Sequence, residues 1–187
     1  MKIIYGKHKN RVVPTVKNSD YRPTTSKFRE ALFSILSARI FHSNSLDDLK
    51  VLDLYAGSGI LSFEAISRGA ALATLVDTNI NHLKLIEKFA VTIGEKDKIH
   101  CSNINAANLP TADRKYDIVF MDPPYYNNLC PKTLECLLKN QWLENDSVIA
   151  IEIEKTASIN WSLFPQLKLV KEVVYGGSKL IVAKYEQ

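Results

Sequence analysis

The chain's 187 residues are enough for a single domain built on a sheet covered by helices on both faces. No stretch approaches the roughly 20 apolar residues of a membrane span, and the opening residues do not resemble a signal peptide. Three cysteines, Cys101, Cys130 and Cys136, lack C-x-x-C spacing, which argues against disulfide and zinc frameworks and makes a reducing cytoplasm, with no membrane and no metal site, the expectation.

The net charge of +4 is unevenly placed. Residues 1–30 carry Lys2, Lys7, Lys9, Arg11, Lys17, Arg22, Lys27 and Arg29 against Asp20 and Glu30, a net of +6, and the remainder carries −2. A basic opening segment on a near-neutral body suggests an attachment that meets phosphates. Within it, Lys2–Tyr5 and Arg11–Val13 read as two short strands of a hairpin, and residues 14–22 as an irregular linker. Phe28, Ala31, Leu32, Ile35, Leu36 and Ile40 keep helical spacing over residues 26–40. After a second linker, strand and helix alternate through residues 51–66, 73–91 and 98–108. A fourth strand follows at 116–121, a helix at 131–140, and a fifth strand at 147–153. A final pair, 168–174 and 179–184, is split by Gly176-Gly177 and reads as antiparallel. Such alternation predicts an α/β, Rossmann-like fold with a mostly parallel sheet, helices on both faces and an N-terminal β-hairpin arm. The expected division is a basic arm and linker over 1–22 and a catalytic domain over 23–187. Glu152 and Glu154, alternating with isoleucines, read as the exposed face of the fifth strand.

The chemistry-bearing residues fall at the ends of the predicted parallel strands, where open α/β sheets bind ligands. Val51-Leu52-Asp53-Leu54-Tyr55-Ala56-Gly57-Ser58-Gly59 runs from a buried strand through a glycine turn into a helix. The full G-x-G-x-x-G spacing is absent, because Ser62 stands at the third position. A carboxylate at Asp53 would repel a pyrophosphate but suits a ligand with an ammonium and no phosphate, such as S-adenosylmethionine. Asp77, at the tip of the second strand, is spaced to receive ribose hydroxyls, although Asp also caps helices. Asn103 and Ile104, after the third strand, are candidates to meet the edge and face of an adenine.

The fourth strand ends in Asp122-Pro123-Pro124-Tyr125. Two prolines hold the backbone stiff and non-helical, with carbonyl oxygens free to accept. An acid, rigid carbonyls and an aromatic face are suited to gripping a planar nucleobase by its exocyclic amino group. These residues alone leave guanine N2, adenine N6 and cytosine N4 open as targets. A non-catalytic RNA-binding or assembly protein on the same scaffold also remains open, though acids at three strand ends argue against it.

With these motifs, the chain resembles S-adenosylmethionine-dependent amino-group methyltransferases and their seven-stranded fold. Ile3-Ile4-Tyr5-Gly6, Arg22-Pro23-Thr24-Thr25, Arg29-Glu30-Ala31-Leu32-Phe33 and Glu64-Ala65-Ile66-Ser67-Arg68-Gly69-Ala70 are similar to segments of the RsmD-type family. Tyr55 stands where that family commonly carries Phe, Asp77 where a Glu is usual, and residues 8–11 lack the usual hairpin glycines. The resemblance implies methylation of a guanine N2 in small-subunit (16S) ribosomal RNA, free or within a partly assembled subunit. It also implies site roles. Asp53, Tyr55, Gly57, Ser58, Gly59, Asp77, Asn103 and Ile104 would hold the cofactor. Asp122, Pro123, Pro124 and Tyr125 would hold the target base, and Lys7, Lys9, Arg11, Arg22, Thr24 and Arg29 would contact RNA.

Overall fold

Apolar runs too continuous for a half-wet strand become the interior strands of a parallel sheet, and the amphipathic segments between them become its cover. The structure is a computed structural model and describes residues 1–16, 25–124 and 129–187. Among those residues, seven strands form one sheet: β1 (Lys50–Leu54), β2 (Leu72–Val76), β3 (Ile99–Ser102), β4 (Tyr116–Met121), β5 (Leu143–Glu154), β6 (Leu167–Tyr175) and β7 (Ser178–Tyr185). Their order is β3-β2-β1-β4-β5-β7-β6. The first five run parallel, and β7 lies antiparallel between β5 and β6. From β1 the chain winds outward to β3, then crosses back to place β4 on the other side of β1. The crevice at this reversal, outside the carboxyl ends of β1 and β4, is where such sheets take their ligands.

Helices α1 (Ser26–Ile35), α2 (Ile60–Ser67) and α3 (Ile80–Thr92) cover one face, and α4 (Leu129–Lys139) covers the other. On the first face Phe33 meets Phe120 edge-on and Phe63 meets Phe89. On the second, Tyr116 stacks on Trp142, and its hydroxyl donates to Thr74. The Thr25 side chain caps α1 by accepting from the Phe28 N–H. Beyond Ile35 the expected helix widens into a π-helical turn, Leu36–Phe41, and stops at His42 in the left-handed region.

The opening segment differs from expectation. In place of two strands there is one bridge, Lys2 to Val12, inside a tight loop that closes through the Asn10 N–H to Ile3 carbonyl bond. Gly6 lies so close to the end of α2 that a Cβ there would sit 1.7 Å from the Ser67 carbonyl oxygen. Ile3 and Val13 are buried in the same core as α1 and α2. Only part of the expected linker, residues 14–16, lies among the described residues.

Glu152 also departs from its sequence reading. It is 7% exposed, because β5 sits between β4 and β7 with cover on both faces, and alternation on such a strand does not mark a wet side. Glu154, at the strand's end, is exposed.

Candidate active site

The site grows from the turn after β1. Tyr55 takes a left-handed conformation (φ 65°), as do Gly57 (φ 55°) and Gly59 (φ 72°), and this bends the strand into α2 within a few residues. A Cβ on Gly59 would stand 2.8 Å from Leu75 and crowd Ile86, so glycine is required there by both space and φ. Most of the loop's amide hydrogens are used internally. Ala56 N–H donates to the Val76 carbonyl and Gly59 N–H to the Ala56 carbonyl. Gly57 N–H donates to Asp77 Oδ2 at 2.8 Å, and Ser62 N–H to Asp53 Oδ2 at 3.3 Å. A phosphate cradle keeps such groups for its ligand. This turn spends them on backbone carbonyls and on two carboxylates.

Asp53 is 3% exposed. The Ser62 hydroxyl also donates to it, at 2.8 Å. Burial pushes the Asp53 carboxyl up to about 7; the Ser62 bonds pull it down in part, and the nearby charge of Asp77 adds to the rise. Asp77 accepts from Gly57 on one oxygen and from the Asn79 N–H (2.7 Å) on the other, with His82 Nδ1 3.1 Å from Oδ2. It is not the cap of α3; Asn79 fills that place. Asn103 Nδ2 donates to the Asp77 carbonyl at 2.8 Å, which ties the third strand's end to the second's, and Ile104 is half-buried beside it. The Tyr55 hydroxyl pairs with Thr133 at 2.6 Å, fixing that ring against α4. Ser58 is buried in the turn.

Beside this loop, across the switch point, β4 delivers its acid and prolines. Leu54 pairs in register with Met121, so the residues that follow, Tyr55 and Asp122, leave their strands together. Asp122 is half-buried, Pro123 is buried and Pro124 is exposed. Behind the prolines a 190 Å³ cavity, lined in part by Pro123, Cys130, Ile153 and Ile159, opens on the α4 side. A larger cavity, 520 Å³, lies between α1 and the opening loop, lined in part by Tyr5, Phe33, His42 and Arg68. It lies on the α1 side of the sheet, and Arg68, which follows α2, stands at the edge where the strands begin.

The structure thus brings Asp53, Tyr55, Gly57, Ser58, Gly59, Asp77, Asn103, Asp122 and Pro123 to one edge. It does not bring the basic loop there. Lys7 reaches Glu95 at 2.7 Å and its N–H reaches the Ser67 carbonyl. Both partners stand at the carboxyl ends of crossover helices, hence at the opposite edge of the sheet. Lys9 and Arg11 are exposed on the same loop. Arg22, Thr24 and Tyr125 lie outside the described residues. Arg29 requires a correction: it is 2% exposed, donates to the Lys2 carbonyl at 2.9 Å and lies 3.6 Å from Glu64. Its guanidinium joins the opening loop to α2 and has no surface to offer a phosphate. Ser62 and His82, not singled out as site residues, hold Asp53 and Asp77 in place. The serine at the third position of the broken glycine pattern was the available signal for the first; for His82, its place one turn into α3 was too ordinary to read.

A site with two acids at the strand ends, donors directed at carboxylates and no phosphate cradle fits S-adenosylmethionine, whose ammonium and sulfonium are cationic. The fold and site therefore define the class, a Rossmann-like methyltransferase of the S-adenosylmethionine type. The chain belongs to the RsmD-type methyltransferase family: the family model described as "Conserved hypothetical protein 95" matches residues 1–184. It is 35% identical to an uncharacterized methylase of Rickettsia prowazekii, over 99% of this chain and 98% of that one. It is 34% identical to the ribosomal RNA small subunit methyltransferase D of Escherichia coli, over 94% of this chain and 87% of that one. A solved structure from Escherichia coli, described provisionally as a methyltransferase, superposes with a TM-score of 0.80 at 31% identity, covering 100% of this chain and 98% of that one.

Proposed function

We propose that this chain transfers a methyl group from S-adenosylmethionine to the exocyclic N2 amino group of a guanine in small-subunit (16S) ribosomal RNA, releasing S-adenosylhomocysteine and one proton from the methylated nitrogen. The observation that carries this reading is the register that sets Asp122-Pro123 beside the glycine loop at the switch point. Relatives named for small-subunit ribosomal RNA methylation support the choice of RNA.

When bound, S-adenosylmethionine supplies an electrophilic methyl on a positive sulfur. Asp53 would face its ammonium, and Asp77 would accept from the ribose hydroxyls. A carboxylate offers about four lone-pair sites, so the bonds from Gly57 and Asn79 leave Asp77 further capacity. Asn103 and Ile104 would meet the adenine, and Tyr55, Gly57, Ser58 and Gly59 would line the approach. A guanine amino group is a weak nucleophile because its lone pair is delocalised into the ring. The Asp122 carboxylate and the Pro123 carbonyl would accept its two hydrogens, favour a pyramidal nitrogen and direct its lone pair at the methyl. Pro124 stiffens this segment, and the Tyr125 ring would stack on a base extruded from the RNA. Positioning and acceptor electrostatics then supply the acceleration. Lys7, Lys9, Arg11, Arg22 and Thr24, within a basic arm over residues 1–22 carried on the domain 23–187, would hold RNA phosphates, the first three at a distance from the reacting base. Such an enzyme would work in the cytoplasm.

Mass mapping of nucleosides in small-subunit RNA, from cells with and without this protein, tests the reading. Loss of one N2-methylguanosine is expected. An unchanged map, or loss of a methylated adenine or cytosine instead, contradicts it.

A further inference from the structure

Asp122 has a neighbour with no part in the transfer just described. The last registered pair between β4 and β5 is Met121 beside Ile151, so the next residue on each strand sets Asp122 beside Glu152. Register also determines the face. Phe120 and Ala150 belong to the core under α1 and α2, whereas Met121 and Ile151 belong to the core under α4. Alternation therefore turns Asp122 and Glu152 to the same side, the α1 side. Neighbouring strands lie about 4.8 Å apart, so continued register places the Cα atoms of Asp122 and Glu152 at about that separation beside the crevice. Glu is almost never this buried for packing alone, and a like charge next door makes the position still less favourable for a purely structural residue.

We infer that Glu152 is a specificity-determining residue: its carboxylate accepts the N1–H of the guanine whose amino group Asp122 and Pro123 hold. This rests on the reading of the site as a guanine-N2 methyltransferase. Guanine presents N1–H and the N2 amino group side by side, two adjacent donors. In adenine the amino group stands next to N1, and in cytosine next to N3, both bare acceptors. A second carboxylate beside the amino-holding one meets a donor only in guanine; against the other two bases it faces a lone pair. Both residues already have interactions within the fold, and with about four lone-pair sites each their carboxylates retain room for a base. Strand order agrees. Asp53 and Asp77 lie at the ends of β1 and β2, on one side of β4, and β5 lies on the other. A base whose amino group meets a methyl donor held over β1 and β2 therefore extends its ring over β5, towards Glu152.

The test uses 2-aminopurine, which keeps the 2-amino group but has no hydrogen on N1. Small-subunit RNA, alone and within reconstituted subunits, is prepared with guanine or 2-aminopurine at the methylated position. The wild-type protein is expected to favour guanine in kcat/KM by roughly 10–100-fold, the range for a lost hydrogen bond to a charged group. Glu152→Gln, whose amide can donate to the bare N1, is expected to bring that ratio close to one while leaving cofactor affinity unchanged. A merely structural glutamate would leave the ratio untouched. Equal wild-type activity on the two bases overturns the inference without any variant, and so does a Glu152→Gln protein that keeps the wild-type ratio. Either result leaves the guanine-N2 reading standing. Methylation of an adenine or cytosine amino group by the wild type overturns both.

Discussion

At the edge where the strands begin, Glu95 is held by two lysines and a histidine: Lys7 and His8 at 2.7 Å and Lys98 at 3.6 Å. Glu64, beneath the opening loop, is likewise flanked by Arg29 and Arg68. At the edge where the strands end, Asp53 is held by the Ser62 hydroxyl and amide, and Asp77 by the Gly57 and Asn79 amides and by His82. Among the described residues, no lysine or arginine forms an ion pair with either of them. The difference shows in the titration of Glu95 and Asp53. Burial alone would raise Glu95, but hydrogen bonds from Lys7 and His8 and the charges of Lys98 and Lys7 overcome it and hold that carboxyl below its usual range. Burial of Asp53 meets only Ser62 and wins, carrying it to about 7. Acids answered by cations are cross-links of the fold. An acid answered by neutral donors, as Asp53 is by Ser62, keeps an unneutralised demand, which a cationic ligand can meet.

The comparison can be broken from its structural half first. Glu64→Ala should cost about 3–5 kcal/mol in urea unfolding, because it leaves Arg29 and Arg68 buried without their carboxylate. Cofactor affinity in the folded fraction should stay the same; a protein of wild-type stability would mean that Glu64 is not a cross-link.

Asp53→Asn should act in the opposite sense. A carboxyl raised from 3.8 to about 7 favours the protonated folded state, so its contribution is full below pH 4 and declines as pH rises to 7. Removing the carboxyl should flatten that decline, stabilise the ligand-free protein at pH 8 by a few kcal/mol and weaken S-adenosylmethionine binding. Wild-type affinity should in turn improve between pH 6 and 8 as the proton leaves. Unfolding curves and calorimetry across this range would show it, and identical pH profiles for wild type and variant would remove Asp53 from the site.

Asp77→Ala should weaken S-adenosylmethionine binding by about 1–3 kcal/mol, through lost ribose contacts and a loosened Gly57 amide. Unchanged affinity by calorimetry would place the ribose elsewhere. The smallest change should follow Lys7, Lys9 and Arg11 all replaced by alanine. Cofactor binding should be untouched, while the slope of RNA affinity against salt should fall by about 2–3 units. A preserved slope would make this loop a structural brace only.

The strand ends were legible because their residues break packing rules: an acid before two prolines, an acid within a glycine turn, an acid closing β2. The parallel run of strands and its antiparallel end followed from alternation and the Gly176-Gly177 break. Charge count failed at Arg29, because a tally of cations says nothing of direction, and Glu64 lies far along the chain. Alternation failed at Glu152, because the rule assumes a wet face that β5, between β4 and β7, does not have. The opening loop's docking was hidden for a similar reason: Ile3 and Val13 are too few to announce a core contact until α2 is beside them.

At the centre of the proposed chemistry, the β4 terminus acts on a base and does not serve to hold the fold or the cofactor. Asp122→Ala tests this most directly, with methyl transfer to small-subunit RNA, S-adenosylmethionine affinity and urea unfolding measured on the same preparation. Transfer should fall by orders of magnitude while the other two stay near wild type, since the lost acceptor acts in the transition state. Transfer at the wild-type rate, or a loss that only tracks lost affinity or stability, would contradict it.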